Sequence, residues 1–103
     1  MIETIKSRQG LIVDLCRKHH VRRLAVVGSA ARGYNHKGGS SDADFLVEFA
    51  EESQDGTIAE YFDFRSALET LIGLPVDLIE EAAIRNPYLR AQFEVDRELV
   101  YEA

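Results

Sequence analysis

Gly28-Ser29-Ala30-Ala31-Arg32-Gly33 and, a short loop later, Ser41-Asp42-Ala43-Asp44-Phe45-Leu46-Val47-Glu48-Phe49 set a glycine-serine turn ahead of two carboxylates on one strand. Alternate residues of a strand share a face, so Asp42 and Asp44 project together while Phe45, Val47 and Phe49 turn the other way into a core. Two neighbouring carboxylates repel unless a cation lies between them. Paired hard oxygen ligands suit Mg2+, which keeps several waters and completes its shell from phosphates. The apolar run Leu24-Ala25-Val26-Val27 leads as a strand into Gly28, where a missing Cβ lets backbone approach a ligand closely. Ser29 adds a hydroxyl and a free N–H. A helical turn from Ala30 onward would aim its unpaired amides at the same spot, and Arg32 brings a full charge nearby. Alone, a glycine-serine turn often only ends a strand, and an Asp-x-Asp pair often sits on a solvated edge.

A third acid sharpens the pattern. Pro75-Val76-Asp77-Leu78-Ile79 reads as a short buried strand with one charge amid apolar neighbours, where an unpaired carboxylate is costly. Placed beside the Asp42/Asp44 strand, Asp77 would be a third metal ligand and the base that takes a proton from an attacking hydroxyl. The plainer alternative is a strand-edge aspartate turned to water.

On these residues the chain resembles the minimal nucleotidyltransferases (MNT) of the DNA polymerase β-like superfamily. The shared pattern is Gly28-Ser29, Ala31-Arg32-Gly33, Ser41-Asp42-Ala43-Asp44 and Val76-Asp77-Leu78, and it covers nearly the whole chain. The resemblance implies an α/β (α+β) palm-like fold, a small mixed sheet flanked by helices. It implies transfer of AMP from ATP to a hydroxyl with two Mg2+ ions and release of pyrophosphate. Asp42, Asp44 and Asp77 would be the catalytic acids and metal ligands, and Gly28, Ser29 and Arg32 the triphosphate contacts. Many stand-alone members are antitoxins paired with HEPN-domain RNases, some adenylylating a toxin tyrosine, so a HEPN-type toxin in a hetero-oligomer is the implied partner. A non-catalytic antitoxin that neutralises by binding, and a small-molecule nucleotidyltransferase, are the alternatives. The loop from Tyr34 to Ser40 is longer than is usual for the group.

Composition bounds the rest. The 103 residues suit one domain, 1–103. Lys and Arg number 12 against 18 Asp and Glu, and a net charge of -6 argues against gripping a polynucleotide backbone, which depends on neutralising phosphates. The single Cys16 cannot form an internal disulfide and lies on the apolar stripe of the first helix, so it reads as a core thiol in a reducing cytoplasm. There is neither an apolar run long enough for a bilayer nor a signal-peptide pattern.

The periodicity predicts a helix over Ile2 to His19, with Ile5, Ile12, Leu15 and Cys16 inward, and strands over Arg22 to Val27 and Ala43 to Phe49. After a polar turn at 51–56, Thr57 caps a helix on which Ile58, Tyr61, Phe62, Arg65, Leu68 and Ile72 recur at three- or four-residue steps, stopped by Gly73 and Pro75. Tyr61, Phe62 and Phe64 read as core and its margin. Asn86 and Pro87 open a helix through Val95 with Leu89 and Phe93 on one side, and Leu99-Val100-Tyr101 forms an edge strand. His19 and His20 suit the C-terminal dipole of the first helix. His36 and Lys37, in the loop beside the acids, are candidates for touching triphosphate or a protein substrate.

Overall fold

The apolar run that ends at Gly28 forms β1 (Val21–Val27), in which Leu24 to Val27 are all buried, as a strand covered on both faces requires. A computed structural model describes residues 1–33, 43–50 and 58–103. Asp42, the 34–40 loop with His36 and Lys37, the 51–56 turn and Thr57 lie outside the described residues. β1 pairs antiparallel with β2 (Ala43–Phe49) on one side and with β4 (Glu98–Glu102) on the other, and β2 pairs in parallel with β3 (Val76–Glu80). The order β3-β2-β1-β4 is the small mixed sheet expected, with the last apolar trio as its edge. A parallel pair needs a crossover connection, and α4 (Ile58–Ile72) supplies it.

The N-terminal helix is broken where the sequence predicts continuity. α1 (Glu3–Ser7) and α2 (Gln9–Lys18) meet at Arg8, whose backbone sits at φ -109° and ψ 13°. Its N–H bonds the Ile5 carbonyl, three residues back, at 3.2 Å, so the turn tightens before the helix restarts. Ile5, Ile12 and Cys16 nevertheless all reach the core. Burial pushes the Cys16 thiol up to about 12, which makes it the inert core thiol expected.

α4 also differs in detail. Its buried line is Phe64, Leu68 and Ile72, whereas Ile58 and Phe62 are 77% and 48% exposed. At 3.6 residues per turn Phe62 lies almost opposite Phe64 and cannot share its burial, whereas Ile58 is the first residue of the helix, more than a turn and a half before Phe64. Gly73 ends the helix in the left-handed region at φ 71°, its N–H bonding the Glu69 carbonyl at 2.9 Å. α5 (Pro87–Asp96) begins as predicted, with Asn86 Oδ1 accepting from the Tyr88 and Leu89 amides and Pro87 in the first turn.

The sheet separates two apolar clusters. The larger holds Ile5, Ile12, Cys16, Leu24, Val26, Phe45, Val47, Phe64, Leu68 and Leu78 under the helices α2 and α4. The smaller, on the other face, is Val27, Leu46 and Ile84, with Ile79 and Phe93 packed against it.

Candidate active site

The pleat of β2 carries the site onto the face of the smaller cluster. Phe45 and Val47 are fully covered on the helix side, so Asp44 and Leu46 must point the other way. In register, Asp44 stands between Val27 of β1 and Asp77 of β3. Adjacent strands are about 4.8 Å apart, so the two aspartates are direct neighbours across a parallel pair. This is the juxtaposition that the sequence pattern implies.

The surroundings of Asp77 are not those expected. Val76 and Leu78 are buried, but Asp77 itself is exposed, because β3 is an outer strand and its second face is open. The cost of burying a lone charge therefore does not bear on it. What singles Asp77 out is its register with Asp44.

Gly28 closes the arrangement from the third side. It follows Val27 directly and has φ 70°, a conformation costly for residues with a Cβ. A Cβ built there would stand 2.9 Å from Asp44 Oδ2. Glycine is needed at this position both for its backbone conformation and for the close packing of the turn on the carboxylate. The short helix α3 (Gly28–Arg32) starts at this glycine with no cap from the side chain of Val27, and Ser29 is half-buried beside it. The first amides of a helix have no carbonyl partner within it, so a carboxylate, a phosphate or water can accept from them.

Arg32 is engaged elsewhere: its Nη1 lies 2.5 Å from Asp96 Oδ2 at the end of α5, tying α3 to the C-terminal helix. The far end of the same sheet face is also ionic. Glu81 sits between Arg23 at 3.1 Å and Arg97 at 3.0 Å, and Arg23 also comes within 3.8 Å of Glu48 and of Glu102. Val27, Leu46 and Ile84 separate this cluster from the site acids.

The histidines stand at the C-terminal end of α2, as predicted, with His19 as its C-cap residue. His19 packs its ring 5.7 Å from that of Phe64, and burial followed by Lys18 holds its pKa below the usual imidazole value. The ring lies at the core margin, and the lowered pKa disfavours the charged form that a helix C-terminus would favour. His20 adopts φ 60° and places Nδ1 3.9 Å from Glu60 Oε1.

Sequence reasoning missed a polar line on α4. Tyr61 donates its hydroxyl to the Leu78 carbonyl, and Arg65 and Glu69 contact Val76, so the line embraces the backbone around Asp77. Burial raises the Tyr61 phenol above its ordinary pKa; Arg65 opposes this, and Asp77 and Glu80 add to it. The phenol stays protonated and able to donate. The recurrence at four-residue steps was legible, but the strand edge it meets was not.

Asp44 and Asp77 offer hard oxygen donors beside a turn whose missing Cβ leaves room for the Asp44 carboxylate, a donor set suited to a divalent ion carrying phosphates. Residues 9–100 match the nucleotidyltransferase domain family. A protein of Methanocaldococcus jannaschii named a putative protein adenylyltransferase is 35% identical over 99 residues, covering 96% of this chain and 91% of that one. Among solved structures, one described as a putative minimal nucleotidyltransferase is similar at 34% identity and a TM-score of 0.76, covering 95% of both chains. The MNT antitoxin fold recurs at 15% identity and a TM-score of 0.66 in a complex with a tri-AMPylated Shewanella oneidensis HEPN toxin, covering 95% of this chain and 72% of that one. With the acids in register at the glycine turn and the match running over residues 9–100, the chain belongs to the nucleotidyltransferase domain family and is a nucleotidyltransferase of the minimal type.

Proposed function

We propose that this chain is a Mg2+-dependent protein adenylyltransferase that moves AMP from ATP to a tyrosine hydroxyl of a HEPN-type RNase toxin and so acts as its antitoxin. The observation that carries the reading is the register of Asp44 with Asp77, with the Gly28 turn packed against Asp44. The name of the M. jannaschii relative supports protein as the acceptor class, and the likeness to an MNT antitoxin bound to a modified HEPN toxin supports the partner. A net charge of -6 is in keeping with a nucleotide and a protein as substrates instead of a polynucleotide. We read residues 1–103 as a single domain working in the cytoplasm, where a lone buried Cys16 is at home. Among the described residues, no helix is long and apolar enough to cross a membrane.

Asp42, Asp44 and Asp77 would hold the divalent ions, whose chemistry when bound is to neutralise the triphosphate and lower the pKa of the acceptor hydroxyl. The chain's own groups then orient the reaction. The Gly28 turn lets Ser29 and the first amides of α3 approach the phosphates. Arg32 would have to leave Asp96 to reach the triphosphate. Asp77, exposed on the outer strand, can be reached by a hydroxyl from a second protein and accepts its proton. The hydroxyl oxygen attacks the α-phosphorus, the new P–O bond forms, the bond to the β-phosphate oxygen breaks, and pyrophosphate leaves with its electron pair.

The test is the intact mass of a co-expressed HEPN partner in the presence of ATP and Mg2+. Whole adenylyl increments that vanish in Asp77→Asn, with the complex still formed, are expected. An unmodified partner that is nevertheless fully neutralised would overturn the enzymatic reading in favour of neutralisation by binding.

A further inference from the structure

β3 is the outer strand on the side of Asp77, so its outward N–H and C=O groups have no neighbouring strand among the described residues. α4 supplies partners from one line of side chains. Glu69 Oε2 accepts the Val76 N–H at 2.8 Å, Arg65 Nε donates to the Val76 carbonyl at 3.0 Å, and the Tyr61 hydroxyl donates to the Leu78 carbonyl. Residues four apart on a helix stand one above the other, so Tyr61, Arg65 and Glu69 form a continuous rail running opposite to β3. Arg65 and Glu69 are themselves 3.7 Å apart.

The residue between the clamped positions is Asp77. Its neighbours are fixed on the outer side by α4, while β2 holds the strand on the inner side, with Asp77 opposite Asp44 and the Ala43 N–H bonded to the Pro75 carbonyl at 2.9 Å. The other outer strand, β4, is treated differently: among the described residues Gln9 Nε2 donates to its Val100 carbonyl, at 3.4 Å. The dense clamp lies on the edge that carries a site acid.

We infer that Tyr61, Arg65 and Glu69 are positioning residues for the transfer reaction, holding the β3 backbone so that Asp77 keeps its height opposite Asp44. This rests on the nucleotidyl-transfer reading of Asp77. A clamp that only blocked strand addition would affect stability or association; a positioning clamp affects turnover more than nucleotide binding, because misplacing a reacting group by a fraction of an ångström slows the chemical step.

The experiment compares wild type with Tyr61→Phe, Glu69→Ala and Glu69→Gln for kcat, for KM toward ATP and for the melting midpoint. Tyr61→Phe removes one oxygen from a half-exposed ring and leaves its packing, and Glu69→Gln keeps an acceptor for the Val76 N–H. A five- to ten-fold fall in kcat is expected in Tyr61→Phe and Glu69→Ala, with KM for ATP within two-fold and turnover largely restored in Glu69→Gln. Wild-type transfer with unchanged kcat in both variants, or a loss that follows only the melting midpoint and is not rescued by glutamine, would overturn the inference while leaving the function intact. Absence of transfer in the wild type would overturn the functional reading and the inference with it.

Discussion

The two faces of β2 divide the work of the molecule between them. Phe45 and Val47 are 0% and 1% exposed under α2 and α4, within a cluster that draws on every strand of the sheet. One residue along, Asp44 looks onto the Gly28 turn and Asp77, and Leu46 joins a cluster of only a few side chains. A strand's two-residue period makes this division automatic: a side chain on the helix face adds to stability without entering the site, and its neighbour does the reverse. Asp44 therefore sits on a strand held in place by burial that it does not share.

The largest effect should come from the buried face. Phe45→Ala removes a fully covered ring from between two helices and the sheet, and truncations of this kind cost about 3–5 kcal/mol. That is a large part of the stability of a small domain. Denaturant unfolding should show a much lower midpoint, with transfer activity retained at temperatures where the variant is still folded. If activity is lost while the protein is fully folded, the faces are not separable.

Asp44→Asn is the converse. It keeps shape and removes a charge from the site, so transfer should fall by at least about 100-fold and Mg2+-dependent ATP binding should weaken. The melting midpoint should move by no more than about 4 °C. Calorimetric titration with a non-hydrolysable ATP analogue, run beside a thermal melt, reads both quantities on one sample. Unaltered binding would mean that Asp44 does not serve the nucleotide.

Gly28→Ala should fall between these cases, because it disturbs both the backbone of the turn and the carboxylate beside it. The backbone at φ 70° disfavours a Cβ by about 1–2 kcal/mol, which a melt will register. The 2.9 Å approach to Asp44 Oδ2 is to the mobile end of a side chain, so that carboxylate can swing aside. Its displacement should cost activity about ten-fold beyond what the lost stability explains. Kinetics well below the melting midpoint isolate that second part, and full activity there would reduce Gly28 to a residue of the turn alone.

How much of this could be read beforehand follows the same divide. The alternation at Asp44 and Phe45, the turn at Gly28 and the cap at Asn86 are local, and local patterns of charge, size and spacing specify them. The break at Arg8 was hidden because Ile5 and Ile12 keep their seven-residue spacing across it. The exposure of Asp77 depends on β3 being outermost, and sheet order does not follow from a strand's own sequence. The Arg32–Asp96 pair joins residues 64 apart, and the Tyr61-Arg65-Glu69 rail meets a strand edge that exists only once α4 has crossed over. Chemistry carried by neighbours in sequence was legible, and so, through the motif pattern, was the meeting of Asp44 with Asp77; the other contacts between distant elements were not.

The smallest predicted effect tests whether the helix face is closed to reagents while the site face stays at work. Cys16 lies in the larger cluster, and burial pushes its thiol from 9.0 up to about 12. The folded state thus favours the neutral thiol more than the unfolded chain does. Its contribution to stability is fully present below pH 9.0 and is lost as pH rises from there toward about 12, where the folded thiol also ionises. Between pH 8 and pH 10 the unfolding midpoint in urea should therefore fall more steeply for wild type than for Cys16→Ala, whose small cavity costs the same at each pH. In the same range iodoacetamide should leave Cys16 unmodified in the native protein, with transfer undiminished, and label it once urea opens the core. Rapid alkylation of the folded protein at pH 8, or parallel pH slopes for the two proteins, would show that solvent reaches between α2 and the sheet and that this face is less sealed than Phe45 and Cys16 imply.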